Sequence, residues 1–180
     1  MLGSVFTAKK DWWLFFHVSL AVSVIVTIYA FVQLSGGAVI HQGGVRLDAT
    51  MGNATYLAVY LLFHLFFLAI FFLQTEVRRL KGVYCALFMM EAVVLYYTAS
   101  RGPILGFLAG ATIFILILAF LKRGRLRQFA IAAVILMLFI PAGFYLAKDT
   151  KFVRSSDTLA RFVNITGDAT TQGRLTIWRM

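Results

Sequence analysis

The sequence predicts an all-α integral membrane protein, with five transmembrane helices followed by a helical tail. Of its 180 residues 61% are hydrophobic and only 13% charged, against about half and about a quarter in a soluble domain. Mean hydropathy is +0.87. The apolar residues also gather into long runs: between Lys81 and Lys122 the only charges are Glu91 and Arg101, and that stretch is too long for one membrane span and right for two.

A helix needs about 20 apolar residues to cross a hydrocarbon core of about 30 Å. Five runs reach that length, over 12–34, 55–73, 83–99, 104–121 and 129–147. Each should be helical, because backbone polar groups find no water inside lipid. Trp12, Trp13, Tyr56, Tyr84, Tyr96, Tyr97 and Tyr145 sit near the ends of the runs, where aromatic belts meet the head groups. The predicted division is a transmembrane bundle over 1–147 and, over 148–180, the start of a large external loop cut off at Met180. The first run is too long for a signal peptide and lacks a small-residue cleavage pattern.

The basic residues set the expected orientation. Lys9, Lys10, Arg78, Arg79, Lys81, Lys122, Arg123, Arg125 and Arg127 lie on one side, whereas the opposite short connections hold only Arg46 and Arg101. The positive-inside rule then puts the N-terminus in the cytoplasm and Arg46, Arg101 and the tail from Lys148 outside. A net charge of +10 would suggest nucleic acid in a soluble protein. Here topology accounts for it, and the expected partner is the bilayer, with no nucleic acid. The single Cys85 excludes an internal disulfide, and no Cys/His cluster has metal-ligand spacing. No metal or cofactor is expected.

Three places could carry chemistry. The outward loop 35–54 is glycine-rich and contains Arg46-Leu47-Asp48-Ala49-Thr50-Met51-Gly52-Asn53. It lacks the G-K-[ST] ending of a P-loop, and composition alone reads it as a flexible loop with an interfacial arginine. The turn Thr98-Ala99-Ser100-Arg101-Gly102-Pro103 places a second arginine on the same face. Two guanidinium forks match phosphate oxygens bidentately, so Arg46 and Arg101 could share one phosphorylated ligand; Arg101 alone could be a snorkelling boundary residue. Inside the spans, His64 and Glu91 fall at matching depth in antiparallel helices. Buried membrane charges are usually partnered, so these two are expected to form a structural pair, with a proton relay as the other reading. In the tail, Ser155 and Ser156 are candidate caps for a short helix with Leu159, Phe162 and Val163 on one face, and a further helix is expected from Arg174. Asn53-Ala54-Thr55 and Asn164-Ile165-Thr166 fit the common N-glycosylation pattern.

The Arg46–Asn53 stretch before a span, the Thr98–Pro103 turn between spans and Gly173-Arg174-Leu175-Thr176-Ile177-Trp178 in an outer segment occur in that order. Together they resemble the O-antigen ligase and O-antigen polymerase family of bacterial envelope glycan enzymes. The resemblance implies a GT-C-like, all-helical glycosyltransferase of the bacterial inner membrane. Such an enzyme moves a glycan from an undecaprenyl-pyrophosphate carrier to a lipid, glycan or protein acceptor at the periplasmic face, without metal. It implies that Arg46 and Arg101 hold the pyrophosphate and that Arg174 shapes the site. The family's catalytic histidine falls beyond Met180, and His17, His41 and His64 do not match it. The chain therefore reads as an internal fragment. The alternative is a fragment of a polytopic transporter or flippase for an anionic or lipid-linked substrate; a non-catalytic scaffold would not need arginines on two outer loops.

Overall fold

The computed structural model describes residues 8–41, 46–121, 123–163 and 176–177. Among these the chain is entirely helical, with α1 Lys9–Leu34, a 3-10 turn Ala49–Met51, α2 Ala54–Gln74, α3 Arg78–Tyr97, α4 Arg101–Leu121, α5 Arg125–Ala147, α6 Lys151–Ser155 and α7 Asp157–Val163. Four helices are long and apolar enough to cross a membrane: Lys10–Leu34, Ala54–Gln74, Arg78–Tyr97 and Arg101–Leu121. They fit a multi-pass membrane protein. The fifth expected span is also helical, as α5, but its described apolar stretch is the shorter Arg127–Met137.

The chain divides into two compact units, 1–100 and 101–180. In the first unit α1 packs on both α2 and α3. Trp13 meets Phe71 and Phe16 meets Phe67 (both pairs tilted, 4.9 Å between ring centroids), and Ser19 meets His64. As the α1 number rises the α2 number falls, so these helices are antiparallel. His17 meets Tyr84 and Ser23 meets Glu91, so α1 and α3 run parallel.

The core of this unit is a leucine stripe on α2. Leu57, Leu61, Leu65 and Leu68 are buried at spacings of four, four and three, which puts them on one helix face. α1 is different, for besides Leu20 and Val26 it buries Ser23, Thr27, Ala30 and Gln33, while it exposes Leu14, Val18, Ile25 and Ile28. Small and polar residues turned inward with large apolar ones turned outward is the pattern of a helix that packs inside a bilayer, where lipid solvates apolar side chains and close backbone approach holds helices together.

Local signals end each helix. Past α1, Gly36 takes φ +82° and Gly37 N–H reaches back to Val32 O at 2.9 Å, a Schellman closure that a residue with a Cβ adopts only under strain. Asn53 Oδ1 accepts the N–H groups of Thr55 (2.8 Å) and Tyr56 (3.4 Å), which caps α2 and gives this sequon asparagine a structural role.

In the second unit α4 and α5 pack together, with Ala119 and Ala130 buried and the Thr112 hydroxyl bonded to Leu108 O at 2.8 Å and to Met137 Sδ at 3.2 Å. Over 148–163 the tail is helical as expected, and the further helix expected from Arg174 falls almost wholly outside the described residues. Thr150 caps α6, and Ser156 Oγ accepts Leu159 N–H at 3.4 Å at the start of α7. Asp149 and Arg154, both exposed, pair at 2.7 Å. That hydrogen bond, more than the arginine's charge, holds the Asp149 carboxyl below the usual aspartate range.

Candidate functional site

The site that the sequence singles out is built around the end of α1. Gln33 is buried there and its amide is fully used. Nε2 donates to Asp48 Oδ1 at 2.8 Å and to Val39 O at 2.7 Å, while Oε1 accepts Ala49 N–H at 2.8 Å. Asp48, with 0% of its surface exposed, accepts His41 N–H on Oδ2 at 2.9 Å, and the His41 ring approaches the same oxygen at 3.4 Å. A buried carboxylate is tolerated only when hydrogen-bonded, and here each oxygen has a donor. The 46–53 segment is therefore not the flexible loop its glycine content suggests. It is held by side chains that composition cannot rank.

This anchoring carries the segment onto the turn after α3. Leu47 is fully buried and its N–H donates to Tyr97 O at 3.2 Å. Arg46 Nε donates to Thr98 O at 3.1 Å and Nη2 to Ser100 Oγ at 3.1 Å. Within the turn Thr98 Oγ1 donates to Leu95 O at 2.7 Å, and Ala99 sits at φ +48°. Ala49, beside Asp48, has φ +45°. Both alanines occupy the left-handed region that non-glycine residues enter at a cost of about 1–3 kcal/mol, and both are imposed by the surrounding bonds. Strain of this kind concentrates where a structure must hold a particular shape.

Arg46 is thus a structural clamp between two sequence motifs, a role the sequence did not reveal. Two contacts through Nε and Nη2 fix the plane of its guanidinium. Arg101 is the first residue of α4, in the second unit, and is half-buried. It stands at a helix N-terminus, where backbone N–H groups and the helix dipole favour an anion. Arg174 lies outside the described residues.

The expected His64–Glu91 pair does not form. His64 Nδ1 bonds Tyr60 O at 2.8 Å and Nε2 bonds Ser19 Oγ at 2.9 Å, while Glu91 Oε1 accepts from Ser23 Oγ at 2.7 Å. His64 meets Ser19 and Glu91 meets Ser23 one turn further along α1, so the two sit at different levels and each is satisfied by its own serine. Ser19 and Ser23, spaced i,i+4, could have been found by asking which hydroxyls recur on one face of α1. The other histidines are also committed locally: His17 Nδ1 to Trp13 O at 2.7 Å, and His41 to Asp48. A pocket of ≈ 360 Å³ lies at the other end of this unit, between Trp12, Trp13 and Phe16 of α1 and Phe67, Ile70 and Phe71 of α2. Its aromatic walls suit an apolar chain rather than a phosphate. Among the described residues no group of three or more His, Cys, Asp or Glu side chains could hold a metal ion.

Comparison with protein-family models, with curated proteins and with solved structures finds no match to this chain.

Proposed function

We propose that the chain is part of a membrane glycosyltransferase of the O-antigen ligase or polymerase type, using Arg46 and Arg101 to hold the pyrophosphate of a lipid-linked glycan donor at the periplasmic face. One observation carries the reading. Arg46-Leu47-Asp48 and Thr98-Ala99-Ser100, two of the three motifs behind the resemblance and about fifty residues apart, meet at 3.1 Å through the Arg46 guanidinium. A motif that merely marks a loop boundary has no reason to seek out the other.

The chemistry follows from charge. When an acceptor hydroxyl attacks the anomeric carbon, the glycosidic C–O bond to the carrier breaks and the leaving pyrophosphate gains negative charge. Fixed cationic donors stabilise that developing charge without having to reorganise. Arg46, its plane set by the Thr98 and Ser100 contacts, and Arg101, at the N-terminus of α4, are suited to that work. The proton on the attacking hydroxyl needs a base outside this segment.

The test is glycan transfer by the intact enzyme carrying Arg46→Lys or Arg101→Lys. A charge-assisted contact of about 2–3 kcal/mol predicts a loss of roughly 30- to 150-fold for each variant, because an ammonium cannot reproduce the planar fork. A Ser100→Ala control removes one guanidinium contact and keeps the charge, so it should cost far less. Near-wild-type transfer by both lysine variants would reject the proposal.

A further inference from the structure

Three buried oxygen atoms in the first unit lack a hydrogen-bond partner: Thr27 Oγ1 on α1, Tyr60 Oη on α2 and Glu91 Oε2 on α3. One comes from each helix, and the contacts already described put them on neighbouring turns of the same three-helix seam. Ser19 meets His64 across the antiparallel α1–α2 seam, so one turn further along α1 Ser23 stands at the level of Tyr60. Ser23 itself bonds Glu91, and Thr27 is the next turn of the same face. The Tyr60 and His64 rings lie 4.1 Å apart, tilted at 39°, which ties these two α2 residues to one another.

Glu91 and Thr27 are each 1% exposed. Leaving a carboxylate charged and half-bonded inside a membrane costs far more than leaving it neutral. Among the described residues no lysine or arginine pairs with it. The groups that act on it are Ser23 from α1, which bonds it, and the Tyr60 hydroxyl from α2, which feels its charge. With Nδ1 donating to the Tyr60 carbonyl and Nε2 accepting from the Ser19 hydroxyl, His64 is satisfied as a neutral ring and supplies no counter-charge.

We propose that this junction is a proton-binding site in which Glu91 carries a proton on Oε2 and one internal water links that hydroxyl to Tyr60 Oη and Thr27 Oγ1. The valences match. A buried water makes about three hydrogen bonds to otherwise unsatisfied groups, and three oxygens from three helices need one each. Oε1 stays the acceptor of Ser23, and the Oε2–H donates to the water. The water donates to one of the two remaining hydroxyls and accepts from the other. Uptake of a single proton removes the charge from the network that joins α1, α2 and α3, and its release leaves a carboxylate without a counter-charge at their centre. The proposal is independent of the transferase reading.

Infrared spectroscopy of the chain in lipid nanodiscs tests it. The chain has two glutamates, Glu76 and Glu91, and Glu76 is exposed, so carboxyl-¹³C glutamate labelling marks the group without a mutation. At neutral pH a protonated-carboxyl C=O stretch should move on ¹³C labelling, shift in D₂O, and weaken only as pH is raised. Glu91→Gln should abolish it. Tyr60→Phe and Thr27→Val should each shift the band and keep it, since they remove a partner of the water and not the proton. Absence of a ¹³C-sensitive protonated band at neutral pH overturns the proton site. A band unmoved in both Tyr60→Phe and Thr27→Val overturns the water link.

Discussion

Asp48 organises its surroundings more than any other single residue. Its two oxygens accept from Gln33 Nε2 and His41 N–H, its carbonyl accepts Met51 N–H at 3.1 Å, and its position delivers Leu47 and Arg46 to the turn after α3. Asp48→Asn keeps the shape but replaces one acceptor oxygen with an N–H₂ donor, so either Gln33 or His41 N–H faces another donor. A buried group left unsatisfied costs about 1–3 kcal/mol. Asp48→Asn should therefore lower unfolding stability by that amount, and Asp48→Ala, which orphans both donors, by more. Denaturation in a mixed micelle reads the difference. Equal stability of all three proteins would mean that the Gln33–Asp48 network does not hold the segment. The sequence pointed to Arg46 here and passed over Asp48 and Gln33. An arginine on an outward loop is conspicuous, whereas a buried acid shows its role only once its donors are known.

The helices show why hydropathy reads spans well and their faces poorly. Runs predicted over 55–73 and 104–121 are the helices Ala54–Gln74 and Arg101–Leu121, because an apolar run of that length must close its own backbone bonds in lipid. The run over 83–99 is instead Arg78–Tyr97: the helix starts in the polar residues before it, and ends where Ala99 turns left-handed. Hydropathy follows the slab rather than the hydrogen bonds. For α1 it counts Ser23 and Thr27 as flaws, although they face α2 and α3, while Ile25, with 66% of its surface exposed, faces outward. This inverted helix makes opposite predictions for its two faces. Ser23→Leu inserts volume into a packed seam and removes the Glu91 donor, and should destabilise the first unit by about 1–3 kcal/mol. Ile25→Leu, lipid to lipid, should stay within about 0.5 kcal/mol. A reversed ranking in thermal unfolding would mean that α1 faces the other way.

At the scale of the whole molecule, an all-helical membrane fold was legible in composition alone, but span number and orientation rest on charges at the helix ends. α5, with its 23 residues, is about 34 Å long at 1.5 Å per residue, enough for a hydrocarbon core of about 30 Å. It begins beside Arg123, Arg125 and Arg127 and ends at Lys148, whose Nζ lies 4.1 Å from the Tyr145 ring centroid, an arrangement suited to an interface. If α5 spans, Arg127 and Lys148 lie on opposite sides; if it lies along the surface, they share one. Paired reporters fused after each residue, one active only outside the cell and one only inside, decide between these. The positive-inside rule puts the Arg127 fusion in the cytoplasm and the Lys148 fusion outside. The same experiment bears on function, because one span, α4, lies between Arg101 and Arg127, and two, α2 and α3, lie between Arg46 and Arg101. An external Arg127 would leave both arginines in the cytoplasm, on the wrong side for a donor presented outside, and with them would fall the case for a periplasmic transferase. Both reporters reading cytoplasmic would leave the arginines in place but make α5 a surface helix and the tail from Lys148 cytoplasmic. That would separate the third motif, around Arg174, from the other two by the thickness of the membrane.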